Sequence, residues 1–265
     1  MPAAVAGERL GAVMQLETIV YVILGAAAGG FVNGLAGFGT ALMSLGIWLQ
    51  AMPAEQAVPI VAAMSVISGV QSLWLTRAGL SRGFRRLPRF LLPALVAMPL
   101  GTGILVWVDA SVIKITIACL MLLYSLFLVM HHALPLMKKD HPVCDALVGL
   151  ASGLLGGAAS LSGVLPTMWA ALQPWSKQET SAILRPFNVV ILGLACAIYL
   201  WRGYFTLETL LMMAIAIPAT LIAAQAGVAL YKRLSDSAFR RVLLWLMMGA
   251  AVSLILREAL AAGIG

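Results

Sequence analysis

Six stretches of this chain, residues 55–77, 88–108, 110–131, 178–201, 206–230 and 239–262, stay apolar for 21 to 25 residues each. About 20 apolar residues are needed to cross the hydrocarbon core of a bilayer as a helix. Lipid offers no partner for a backbone N–H or C=O, so only helices and closed barrels span it. None of the runs shows the ten-residue alternation of a barrel strand. The chain is 62% hydrophobic and 10% charged, against about 25% charged residues in soluble domains. The fold class that follows is all-α, a polytopic membrane protein.

Two more apolar stretches do not fit one crossing each. Residues 17–51 are long for one helix and short for two plus a turn, and residues 145–173 have the same ambiguity. Both are interrupted by glycine, one of the poorest helix formers. Gly30, Gly34 and Gly37 have the spacing of Gly149, Gly153 and Gly156. The chain therefore reads as two copies of one unit. A lead covers residues 1–16, a first transmembrane repeat 17–131, a cytoplasmic linker 132–144 and a second repeat 145–262.

Loop charge decides how the glycine stretches are counted. If each were an ordinary span, the basic loops at 77–89 and 232–241 would fall on opposite sides, against the positive-inside rule. If each is a re-entrant or broken helical hairpin, one side collects Arg77, Arg82, Arg85, Arg86, Arg89, Lys138, Lys139, Lys177, Lys232, Arg233, Arg240 and Arg241. The other side keeps Arg9, Lys114, Arg202 and Arg257. Twelve against four makes the first side cytoplasmic. Each unit is then a hairpin plus three transmembrane helices. An odd number of crossings inverts the second unit relative to the first, as in many secondary transporters. The expected location is the cell inner membrane, multi-pass.

In this topology the hairpin tips meet near the midplane. Non-helical backbone at that depth is tolerated only inside protein or beside a water-filled cavity. A half-helix that starts at a tip offers free N–H groups and the positive end of its dipole, which suits a small anion. The expected substrate-binding residues are Asn33, Gly34, Gly37, Phe38, Gly39 and Thr40 in the first tip, and Ser160, Ser162 and Gly163 in the second. Helix–helix packing through Gly-x-x-x-Gly is the competing use of the upstream glycines. Arg185 and Asn188 complete the set. An arginine within a span costs at least about 2.5–3.5 kcal/mol and usually faces the interior; its forked donors suit a carboxylate or sulfonate. Snorkelling from near Lys177 is the plainer use of Arg185. Pro59 occupies a place in the first unit similar to that of Pro186, but without an arginine beside it.

Every carboxylate lies near a span end or in a loop, so the parts of a proton relay are missing. Ser160 and Ser162 have no mid-span histidine, lysine or carboxylate to activate them, so no catalytic residue is assigned. Cys119, Cys144 and Cys196 have no metal-like spacing, and His131, His132 and His141 read as interfacial. Neither a metal nor another cofactor is expected. The net charge of +7 lies mostly in short loops, so it speaks of topology rather than nucleic acid. Trp48, Trp74, Trp107, Trp169, Trp175 and Trp201 read as interfacial anchors. No basic n-region with an A-x-A site opens the chain, so no cleaved signal peptide is expected.

The openings Gly30-Phe31-Val32-Asn33-Gly34-Leu35-Ala36-Gly37-Phe38-Gly39 and Val148-Gly149-Leu150-Ala151-Ser152-Gly153-Leu154-Leu155-Gly156-Gly157 resemble those of the TauE/SafE (sulfite exporter) family of membrane transporters. The two-unit layout and the length agree. The resemblance implies a transporter of small sulfur-containing anions such as sulfite and organosulfonates. The function expected is therefore export of a small anion, a sulfonate or sulfite-like compound, bound between the two tips. An anion channel is the first alternative, an intramembrane enzyme a weaker one, and a non-transporting membrane subunit a further one. The expected partners are the small anionic substrate and the lipid bilayer, with a homodimer kept open as the assembly.

Overall fold

The computed structural model describes residues 16–48, 51–77, 85–104 and 141–239, with Leu122 and positions 241, 242, 244–246, 248, 249 and 252. In chain order the helices are α1 (Leu16–Ala36), α2 (Thr40–Trp48), α3 (Ala54–Thr76), α4 (Leu87–Ile104), α5 (Pro142–Ala159), α6 (Val164–Leu172), α7 (Lys177–Trp201) and α8 (Leu207–Arg233). No strand occurs among the described residues. Leu16–Ala36, Gln56–Thr76, Lys177–Trp201 and Leu207–Arg233 are long and apolar enough to cross a membrane, and Leu87–Gly101 and Pro142–Gly157 are shorter apolar segments. The expected crossing at 110–131 lies outside the described residues but for Leu122, and of that at 239–262 nine residues are described. The helix after the linker begins at Pro142 rather than Asp145.

Both glycine stretches are broken, at Gly37–Gly39 and at Ser160–Gly163. In each the chain doubles back. Ser44 Oγ donates to the Gly25 carbonyl (2.8 Å) and Trp48 Nε1 to the Val22 carbonyl (3.1 Å), so α2 runs antiparallel beside α1. Trp169 Nε1 donates to Asp145 Oδ1 (2.8 Å), which returns α6 along α5. Trp48 is thus not an interfacial anchor. It is fully buried, and Gly25 leaves the room for its indole. The short returning helices have nine residues each. That rises about 13.5 Å, half of a hydrocarbon core of about 30 Å. The tips lie beside the middles of α3 and α7, where Asn33 reaches Ser65 and Ser68, and Ser162 reaches Asn188.

The upstream glycines pack helices together. Gly30 and Gly34 face the backbone of Thr220 and Ala224 on α8, and Gly149 and Gly153 face that of Phe90 and Ala94 on α4. In each case two glycines four residues apart let the backbones approach closely, the small-residue contact of membrane helices. The order of the contacts makes α1 parallel to α8 and α5 parallel to α4. The helix ends agree. Arg86 stacks over Trp175 at 5.2 Å, and the Lys177 N–H reaches Asp236 (3.2 Å), so the basic loops after α3, α6 and α8 share one end of the bundle. At the other end Gln56 donates to Glu208 (2.9 Å).

Packing divides the helices differently from chain order. One core joins α1, α2, α3 and α8 through Val22, Leu35, Trp48, Ile60, Met64 and Ala216, and Leu161 and Val164 of the second tip reach into it. The other joins α4, α6 and α7 through Phe90, Met98, Ala170, Phe187 and Ile191, with Val148 of α5 packed against it. Each lobe thus borrows one helix from the other half of the sequence, and α3 meets α7 between them.

Gly34→Ala should destabilise the protein by at least about 1–3 kcal/mol, the usual cost of overpacking, because a β-carbon there meets the Ala224 backbone. Gly193→Ala, with nothing within 4 Å, should be neutral or slightly stabilising. Thermal unfolding of the detergent-purified variants checks the contrast.

Candidate functional site

The first tip opens where α1 stops. The Gly37 N–H closes the last turn on the Asn33 carbonyl (2.8 Å), with Gly37 at φ 84° and Gly39 at φ 92°. L-residues with side chains rarely adopt such angles, so glycine belongs here. The second tip closes with a serine instead. Ser160 has φ 55°, its N–H bonds the Gly156 carbonyl (3.0 Å), and the Leu161 N–H reaches back to Leu155 (3.3 Å). A left-handed non-glycine residue costs roughly 1–2 kcal/mol, which the surrounding packing offsets.

Each tip then starts a new helix. In α2 the internal ladder begins with the Met43 N–H on the Gly39 carbonyl (3.2 Å), so the N–H groups of Thr40, Ala41 and Leu42 lie ahead of it. In α6 it begins with Thr167 on Gly163 (3.2 Å), and no side chain caps the helix. The N–H groups of Val164 and Leu165 lie ahead, and Pro166 has none. The two tips touch: a β-carbon on Gly163 would come within 2.5 Å of Phe38 Cβ.

A narrow cleft of about 10 Å³, room for about one water-sized group, lies between these two helix starts. Phe38, Gly39, Thr40, Ala41 and Leu42 line it from one tip, and Ser160, Leu161, Gly163 and Val164 from the other. Ser65 of α3 and Asn188 and Leu192 of α7 close its sides. No titratable side chain is among these lining residues.

The polar groups of the cleft are left over by the protein. Thr40 Oγ1 and Ser65 Oγ are buried without a hydrogen-bond partner, and Ser160 Oγ lies against the Tyr199 phenol. Buried polar groups are nearly always paired, and exceptions call for a reason. Asn188 Oδ1 accepts from Ser162 Oγ (2.8 Å), which fixes the amide so that its Nδ2 hydrogens are uncommitted. The cleft therefore offers backbone N–H groups, hydroxyls and one amide NH₂ beside the positive ends of two helix dipoles. Such a set hydrogen-bonds an anion without holding a fixed charge of its own.

The expected site residues divide into two groups. Phe38, Gly39, Thr40, Ser160, Gly163 and Asn188 line the cleft. Gly34, Gly37, Ser162, Asn33 and Arg185 stand behind it. Gly34 packs on α8, Gly37 makes the turn, and Ser162 orients Asn188. Asn33 anchors the first tip to α3, donating to the Ser65 carbonyl (3.1 Å) and to Ser68 Oγ (2.6 Å).

Arg185 is 1% exposed, so it does not snorkel. Its Nη2 donates to the carbonyls of Gly34 (2.8 Å) and Leu35 (3.2 Å), its Nε to Ser181 Oγ (2.5 Å), and its guanidinium lies 4.9 Å from the Tyr231 ring centre. Ser65, Ala41, Leu42, Leu161, Val164 and Leu192 were not singled out from the sequence. For Ser65 a signal existed: Ser65, Ser68 and Ser72 form a polar stripe along one face of α3, and all three are buried.

No curated protein matches the chain closely enough to count as a relative. The family model "Sulfite exporter TauE/SafE" matches residues 21–254, which takes in both hairpins, the cleft and every labelled helix but the start of α1. With nearly its whole length matched, and with helices fit to cross a bilayer, the chain belongs to the TauE/SafE sulfite exporter family of multi-pass membrane transporters of sulfite and related anions.

Proposed function

We propose that the protein is a carrier that exports a small sulfur oxyanion, sulfite or a sulfonate, across the cell inner membrane, and that the cleft between the hairpin tips is its binding site. One observation carries this reading: two helix N-termini converge on a cleft in which the buried Thr40 and Ser65 hydroxyls lack partners. Thr40, Ser65, Ser160 and Asn188 are the side chains assigned to direct contact, with the N–H groups of Thr40, Ala41, Leu42, Val164 and Leu165. Phe38, Gly39 and Gly163 shape the cleft. Asn33, Gly34, Gly37 and Ser162 hold the tips in register.

The small cleft favours a carrier over an open channel. The two repeats are assigned opposite orientations, residues 17–131 and 145–262, with the basic end of the bundle in the cytoplasm. Supporting this are the parallel pairs α1–α8 and α4–α5 and the shared end of the basic loops. Access then alternates when the lobe of α1, α2, α3 and α8 rocks against that of α4 to α7, exposing the cleft between them to one side and then the other. The bodies that move are the packed lobes, not the two halves of the sequence. Export of an anion from a cell with a negative interior is driven by about 2.3 kcal/mol per charge per 100 mV, so no proton relay is required.

Sulfite flux in proteoliposomes tests the cleft. Asn188→Asp replaces a donor by a negative charge and should reduce transport at least about a hundredfold. Thr40→Val and Ser65→Ala each remove a hydrogen bond to a charged group, about 1.5–3 kcal/mol, and should weaken apparent affinity about tenfold or more. Normal flux in Asn188→Asp would remove the cleft from the pathway. Orientation has its own test. Single cysteines introduced at Arg85 and Ser237 should both be labelled by an impermeant maleimide only from the cytoplasmic face. Labelling from opposite faces would sink the inverted repeat.

A further inference from the structure

A hairpin tip brings together two helix ends of opposite polarity. At the first tip the N–H end of α2 favours an anion, while the carbonyl end of α1, one turn away, repels it. Each end carries about half an elementary charge. Left uncovered, the two would largely cancel. At the second tip the carbonyl end of α5 is closed by backbone N–H groups from Ser160 and Leu161 alone. At the first, a buried cation from another helix lies on the carbonyl end. Arg185 Nη2 reaches the Gly34 and Leu35 carbonyls, and its stem packs so closely that a β-carbon on Gly37 would come within 2.7 Å of Arg185 Cγ.

The partners of Arg185 are neutral: the Ser181 hydroxyl, two peptide carbonyls and the Tyr231 ring. Its Nη1 is buried without a partner. No carboxylate pairs with it among the described residues. The protein thus holds an uncompensated positive charge beside the tip, and Phe38 and Gly39 of that tip line the cleft.

We infer that Arg185 is a positioning and charge-setting residue for the anion site: it masks the wrong end of the α1 dipole, fixes the first tip across the boundary between the lobes, and gives a cleft with no charged lining its net positive potential. The inference rests on the cleft being the anion site. It departs from a direct ligand role, because Arg185 does not line the cleft and its Nη2 and Nε are engaged by the α1 carbonyls and the Ser181 hydroxyl. Its effect is therefore electrostatic and should grow with the charge on the anion, whatever the anion's shape.

Binding to the purified full-length protein by titration calorimetry tests this, with sulfate as a dianion probe and methanesulfonate as a monoanion probe. Arg185→Met should lose about tenfold in affinity for each unit of ligand charge, so sulfate suffers about tenfold more than methanesulfonate. Arg185→Lys keeps the charge and should stay within about threefold of the parent for both. Equal losses for the two probes in Arg185→Met would mark a merely structural role and overturn the inference. So would unchanged affinity, and so would a lysine variant as impaired as methionine, which would make the guanidinium fork a direct ligand. If the methionine variant does not fold, Arg185→Gln, which retains an amide donor for the carbonyls, gives the same comparison. Failure of the parent protein to bind either probe would instead bring down the cleft as the anion site, and this role with it.

Discussion

Everything at the centre of this protein depends on one constraint: backbone polar groups buried among membrane helices have no water to turn to. Two helices stop there, which exposes eight orphan carbonyls and as many orphan N–H groups in general terms. The carbonyl ends are satisfied locally. Gly37 closes α1, Ser160 and Leu161 close α5, and Arg185 adds a cation to α1. The N–H ends of α2 and α6 are treated differently. Their first turns carry no side-chain cap on α6 and face a cleft with α2. A soluble protein would place serine or aspartate at such a start. Here Gly39 and Gly163 stand before the helices, and neither brings a side-chain acceptor to the first turn.

The glycines serve both uses that the sequence suggested, but at different positions. Gly30, Gly34, Gly149 and Gly153 bring helix backbones together. Gly37 and Gly39 supply left-handed turns, and Gly163 lets the second tip lie against Phe38. The first use builds the lobes and the second builds the cleft between them. Because α8 packs in the first lobe and α4 in the second, each lobe is held by helices from both halves of the chain. The lobes meet at the α3–α7 contact, where Ser65, Ser68 and Asn188 lie beside the two tips.

Much of this was legible in the sequence because it follows from local chemistry. Apolar length located α3, α7 and α8 to within a few residues, and the glycine spacing located both breaks. Loop charge, a topological signal, anticipated which helix ends share a side. What was not legible depends on partners brought from far along the chain. Trp48 looks like an interfacial tryptophan until α2 folds back and buries it against α1. Ser65 looks like an unremarkable small residue in a span until the first tip docks beside it. The sequence left Arg185 between an interior site and snorkelling to the surface near Lys177. It could not say that the cation rests on the carbonyls of Gly34 and Leu35, about 150 residues earlier.

The most direct test of the central claim is to locate a bound anion. Selenate resembles a sulfur oxyanion and carries an anomalous scatterer. In a crystal structure of the full chain soaked with it, the account places the selenium peak between the first turns of α2 and α6, within hydrogen-bond reach of Thr40, Ser65 and Asn188. A selenium peak elsewhere in the membrane region, with the space between the tips closed and dry, would contradict it.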